Sequence, residues 1–318
     1  MGLRFLLALL GAAGAGPALS QDAGPAPRTP PDGTVALGEL ATRMTVPVSI
    51  RDAPPQPFVI DTGAERSVVS RQLASRLGLG AGPQVVLTTM TGSARVGTVV
   101  VPSLAVGPVR DERAFNAPAL EAAHLGAQGL LGIDQLRAHM VTIDFDRNEM
   151  AVRRSRLEER GERVRPDLTE IVVTARNRFG QLIVTEAEFE GVRVTVVMDT
   201  GSQISMGNLA LQRRLRRIPL QGPITLTSVT GEQMTVNYHV ADRVKLGGIA
   251  IRNLPVAFAD VAPFEKFGLT QRPALMLGMD AMRVFNRIEI DFPARKVRFQ
   301  IPRDRTRFRD NMWNFGTG

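Results

Sequence analysis

The chain has 318 residues, enough for two ordinary domains, and its 44% hydrophobic and 22% charged content is that of a globular protein. Zero cysteines exclude disulfides, thiol catalysis and Cys-based zinc sites, and the three histidines (His124, His139, His239) are too scattered for a metal motif, so no metal or cofactor is expected. The net charge of +8 rests on 39 basic residues, 36 of them arginine, interspersed with acids as on a solvated surface rather than gathered as nucleic-acid binding requires.

Residues 1–20 carry Arg4, an apolar run from Phe5 and the small-x-small site Ala18-Leu19-Ser20. That pattern predicts a cleavable signal peptide, a periplasmic or secreted product, and no stable membrane span in the mature protein. Residues 21–38, rich in Pro, Gly and Ala, are predicted to be a disordered leader.

An N-terminal lobe is predicted over 39–152. Alternation over 44–50 marks a strand, and Asp52-Ala53-Pro54-Pro55 turns it back. The apolar run Phe58-Val59-Ile60 then ends in Asp61-Thr62-Gly63, a buried strand stopping at a tight turn. Ser70 caps a helix that closes at Gly78, and 85–90 and 96–101 flank a turn at Thr91-Gly92 as a hairpin. Gly129-Leu130-Leu131-Gly132-Ile133-Asp134 leads into a short helix and a strand over 141–145, with Asp134 read as a helix N-cap. The charged run 153–168 reads as a linker.

Over 169–302 the order repeats as a C-terminal lobe. A hairpin ends in Val196-Val197-Met198-Asp199-Thr200-Gly201, a helix runs from Asn208 to about Arg217, and Thr230-Gly231 marks a second turn. Leu275-Met276-Leu277-Gly278-Met279-Asp280 precedes a short helix, with Asp280 again read as an N-cap, and a strand over 287–291. Landmarks recur at offsets of 138 (199 − 61), 139 (231 − 92), 146 (278 − 132) and 147 (291 − 144), so lobe 2 carries about seven extra residues between its turn and Gly278. The chain is an internal duplication: all-β with short helices, two lobes about a pseudo-two-fold axis. The tail 303–318 has no reading beyond a docking strand or a frayed end.

Three aspartate pairs recur between the lobes. Asp144 and Asp291, inside Ile-Asp-Phe strands, read as structural. Asp61 and Asp199 end apolar runs, precede a hydroxyl that can reach the other lobe, and precede a glycine that permits the turn. Two carboxylates sharing one water cannot both ionise easily, so the pair holds one proton and can serve as base and acid together. Peptide hydrolysis by such a dyad needs neither metal nor covalent intermediate.

These residues resemble the aspartic peptidase clan, most closely its retropepsin-like branch, over about residues 40–302. The resemblance implies two retropepsin/pepsin-like β-barrel lobes with Asp61 and Asp199 as catalytic residues. It implies further that Thr62, Gly63, Thr200, Gly201 and Ser202 support the catalytic loops, with Ser202 offering Asp199 a hydroxyl hydrogen bond. Flap tips that bind substrate fall near Thr91-Gly92 and Thr230-Gly231, and Leu130-Leu131-Gly132 and Met276-Leu277-Gly278 pack behind the loops. A monomer with both lobes in one chain, acting on a polypeptide substrate, follows. The alternatives are a non-catalytic peptide-binding module on the same fold, and nucleic-acid or membrane binding through Arg213-Arg214-Leu215-Arg216-Arg217, a cluster read more simply as an exposed helix face.

Overall fold

A computed structural model describes residues 34–301, apart from 37, 41–42, 108, 148, 156–169, 175, 179–180 and 216–217. The predicted signal peptide, most of the predicted leader, most of the predicted linker and the tail lie outside the described residues. Among those described, no helix is long and apolar enough to cross a membrane.

Each lobe is a ten-stranded sheet, and the strand order is the same in both. In lobe 1 Gln56–Ile60 runs parallel to Gly129–Leu131, and in lobe 2 Val192–Met198 runs parallel to Ala274–Leu277. These strands are apolar on both faces because the sheet folds over them. Phe58, Val59 and Ile60 are buried, as are Val196, Val197 and Met198. A third sheet of six strands joins the lobes, in the order Thr34–Ala36, Glu149–Arg154, His139–Asp144, Arg287–Asp291, Lys296–Gln300, Glu170–Thr174. At its centre His139–Asp144 pairs antiparallel with Arg287–Asp291, and the register sets Thr142 opposite Glu289. Those two residues are 147 apart (289 − 142), the offset of the duplication, so the pseudo-two-fold axis passes between them. Val141, Ile143, Ile288 and Ile290 point from this sheet into one core that draws on both lobes.

The sequence reading treats 153–168 as a linker and 21–38 as leader. Strand Glu149–Arg154 runs through the first boundary, Thr34–Ala36, which pairs with it, falls in the leader segment, and Gly38–Leu40 straddles that segment's end. The lobe-2 helix is shorter than expected, Leu209–Arg214, with Asn208 as its side-chain cap. The extra residues of lobe 2 flank the helix Ala262–Lys266. From the hairpin glycine to the helix-ending glycine lobe 2 spans 37 residues (268 − 231) against 34 (126 − 92), and from there to the next landmark ten (278 − 268) against six (132 − 126). Asn208 ties this insertion down, its Nδ2 donating to the carbonyls of Leu269 and Arg272, both at 2.7 Å.

A core shared through one sheet should unfold as one. Ile288→Ala, at a fully buried central position, is expected to remove about 2–4 kcal/mol and to leave a single cooperative transition in urea. A two-step transition by circular dichroism would show the lobes to be independent.

Candidate active site

Both aspartates sit where a central strand ends. Asp61 N–H donates to Leu131 O and Asp199 N–H to Leu277 O, each at 3.0 Å, which extends the parallel ladder by one residue into each turn. Beyond it the chain doubles back, and the amides of the turn bind the acid. Asp61 Oδ1 accepts from Gly63 N (2.9 Å) and Ala64 N (2.8 Å), and Asp199 Oδ1 from Gly201 N (3.0 Å) and Ser202 N (3.2 Å).

The two loops are then locked to each other. Thr62 N donates to Thr200 Oγ1 (3.0 Å), and Thr200 N to Thr62 Oγ1 (3.1 Å). The hydroxyls donate onward across the seam, Thr62 to Met198 O (3.0 Å) and Thr200 to Ile60 O (2.8 Å). Both threonines are buried, so these four bonds have no competing water. The glycines let the acids approach. A methyl group built on Gly63 would stand 2.6 Å from Asp199 Oδ1, and one on Gly201 2.3 Å from Asp61 Cγ. Each carboxylate therefore lies directly against the opposite loop, and any side chain there would displace it. Asp199 is 9% exposed whereas Asp61 is only half-buried, so the pair is not equivalent.

Behind each loop is a serine that the sequence reading missed. Ser67 Oγ and Ser205 Oγ accept from Gly132 N (2.9 Å) and Gly278 N (3.0 Å), and donate to Asp134 Oδ1 (2.7 Å) and Asp280 Oδ1 (2.6 Å). Asp134 and Asp280 also accept the serine amides, at 2.9 and 2.8 Å. They are therefore not N-caps. The caps are Gly132 and Gly278, without side-chain bonds, and the acids stand two residues further in, tying each helix to the strand after its Asp-Thr-Gly loop. A sequence signal existed, for both serines lie six residues past their aspartates (67 − 61, 205 − 199). Burial pushes the Asp280 carboxyl up to about 6, against the serine and backbone bonds that favour its charged form. Asp144 and Asp291 accept turn amides, from Arg147 and Ala294, both at 2.9 Å.

Ser202 also departs from expectation. Its hydroxyl donates to Ile204 O (2.7 Å), and only its backbone N–H binds Asp199. The nearer carbonyl in the same turn takes the proton.

The long hairpins of both lobes line a cavity of about 860 Å³ that contains Asp61 and Asp199. In lobe 1 strands Ala81–Thr89 and Gly92–Val101 close on a two-residue turn, Met90-Thr91. In lobe 2 strands Gln221–Thr227 and Gln233–Ala241 close on a five-residue loop, 228–232, so Thr91-Gly92 and Thr230-Gly231 share a place but not a turn geometry. The tips cross over. Met90 packs on the lobe-2 cluster of Val261, Phe264 and Phe267, with its carbonyl accepting from Ala262 N at 3.4 Å. Val229 packs on the lobe-1 cluster of Leu120 and Leu125, and Gly231 lies against the His124 ring. Thr91 Oγ1 donates to Glu232 Oε2 at 3.2 Å, joining tip to tip. Hydroxyls of Thr230, Ser228 and Thr91 together hold the Glu232 carboxyl down to about 2.

The profile of the aspartyl protease family matches residues 46–135 and 185–281, one stretch in each lobe. The chain belongs to that family, in a tandem two-lobe retropepsin-like form. A search of curated proteins finds no match.

Thr200→Val would keep the shape but leave Ile60 O and Thr62 N unpaired, and is expected to lower stability by about 2–4 kcal/mol in urea denaturation. A second expectation concerns pH. The folded-state value of Asp280 lies above its unfolded value near 4, so the folded chain holds the extra proton between about pH 4 and 6. Its contribution to stability therefore falls, by an order of 3 kcal/mol, as pH rises through that window, and levels off above it. Urea midpoints of parent minus Asp280→Asn across pH 4–7 should show that slope; parallel profiles would disprove it.

Proposed function

We propose that this chain is an aspartic endopeptidase, exported to the periplasm or beyond, that hydrolyses peptide bonds with a water activated by Asp61 and Asp199. One observation carries the reading: two carboxylates 138 residues apart lie each against the glycine of the other's loop. Structural acids gain nothing from such closeness, because like charges in a poorly hydrated site repel strongly. Chemistry does gain from it.

One carboxylate is ionised and the other protonated. The ionised member takes a proton from water as it attacks the amide carbonyl. The protonated member hydrogen-bonds the carbonyl oxygen, where negative charge develops, and the dyad then passes a proton to the leaving amine. The turn amides on each Oδ1 fix both carboxylates, so little reorganisation accompanies the charge movement. The substrate fits as an extended strand between the two hairpins, its main chain bonded and alternate side chains set in pockets. Export rests on the pattern of residues 1–20, and a monomer on both loops being in one chain.

Cleavage of a denatured protein mixture across pH tests this. Asp61→Asn and Asp199→Asn should each lose at least about a thousandfold in rate while keeping the parent's circular dichroism and urea midpoint to within the change of one charge. A parent that binds peptides and cuts none at any pH would instead establish a peptide-binding module.

A further inference from the structure

Duplication gives each residue beside the dyad a counterpart 138 positions on, and the counterparts differ in charge. Glu65 and Arg66 follow the first loop, Gln203 and Ile204 the second, and all four line the cavity. The crossing helices differ too. Gly126 and Gly268 end them in the same left-handed conformation (φ 67° and 64°), which sets Lys266 equivalent to His124. Lys266 Nζ reaches Glu65 Oε2 of the other lobe at 2.9 Å, whereas His124 lies against Gly231.

One half of the cleft is therefore charged and the other is not. Within the charged half, Lys266 offsets Glu65. Arg66 is left: an exposed guanidinium on the cavity wall with no ion pair or side-chain hydrogen bond among the described residues. Its counterpart Ile204 packs on the lobe-2 cluster with Phe264 and Phe267 and offers only apolar surface.

We propose that Arg66 is a specificity-determining residue that receives an acidic side chain of an extended peptide on the lobe-1 side of the cleft, the equivalent place on the lobe-2 side taking an apolar one. The planar guanidinium can bind a carboxylate with two parallel hydrogen bonds, a geometry that an amide isostere cannot match in charge. Glu65 does not repel that carboxylate, because Lys266 stands on it already. The cleft thus reads its peptide in one direction. The inference takes the cleft of the endopeptidase as its site, but it concerns binding and can be tested apart from hydrolysis.

Blocked heptapeptide libraries with one fixed residue, Glu in one set and Gln in the other, are given to the parent for cleavage and to Asp61→Asn for binding. At one position on one side of the scissile bond Glu should be favoured over Gln by about tenfold. Arg66→Gln should bring the ratio near one, Arg66→Glu should bring it below one, and the parent's ratio should shrink from about 0.05 M to about 0.5 M salt. Each ratio is taken within one protein, so it does not depend on how active a variant is, and Arg66 is exposed enough that both variants should keep the parent's fold. A parent ratio near one at every position, or a tenfold ratio that survives Arg66→Gln, overturns the assignment. A parent that cuts nothing refutes the hydrolytic reading alone, and the Asp61→Asn binding ratio then decides for Arg66. No binding of either set by Asp61→Asn counts against Arg66 as well.

Discussion

Everything at the centre of this protein depends on holding two carboxylates closer than they would settle unaided. Their repulsion in a partly dry seam amounts to several kcal/mol when both are charged. Against it stand four buried hydrogen bonds between the threonine loops, each worth about 0.5–1.5 kcal/mol net and more when its loss strands a partner. Those bonds alone would be a thin clamp. The six-stranded sheet supplies the rest, since pulling the loops apart means unzipping His139–Asp144 from Arg287–Asp291 and opening the core under it. In the proposed dyad a single shared proton would remove most of the remaining repulsion.

Much of this was legible in the chain, and for a definite reason. A strand that is buried on both faces and then turns at a glycine leaves a short unmistakable string, and here the string occurs twice with matching flanks. The hairpins showed because alternation and turn residues are local. The joining sheet did not show. Lys296–Gln300 alternates charged or polar with apolar residues as any exposed ribbon does, and nothing local in His139–Asp144 or Arg287–Asp291 says that the two pair across the halves. Asp134 and Asp280 were misread because a helix start favours an acid in its first turn as well as at the cap, and only the serine six residues past each Asp-Thr-Gly aspartate separates the two uses. Ser202 was misread from the resemblance, because hydroxyl direction is decided by the nearest carbonyl and not by the motif.

The hairpin tips show how the closed cleft is held. Met90 and Val229 each leave their own lobe and pack against the other's side cluster, so the hairpins brace the lobes as well as roof the cavity. Apolar contacts of this size, with one hydrogen bond between tips, are strong enough to define a closed state. They are also few enough to be broken by a ligand that offers its own backbone to both hairpins. An isolated clamp of charges would be harder to open, since separated charges must be rehydrated one by one.

Duplication also freed the halves to diverge, and they have done so where a symmetric dimer could not. Asp199 is more buried than Asp61, Asp280 is sunk in the core where Asp134 is only partly covered, and one hairpin turn has two residues where the other has five. Two identical subunits would present the same wall on both sides of a bound strand, although a peptide has direction and its two sides never match. Placing Glu65, Arg66 and Lys266 on one side and Gln203, Ile204 and His124 on the other removes that conflict. The same inequality bears on the dyad. Under the proposed mechanism, with one acid drier than the other, the two ways of sharing a proton would differ in energy, so the chain could fix which carboxylate begins as base. In the proposed peptidase a fixed proton and a directional cleft would place the same carboxylate on the same side of every peptide bond that enters, and neither is available to a pair of identical halves.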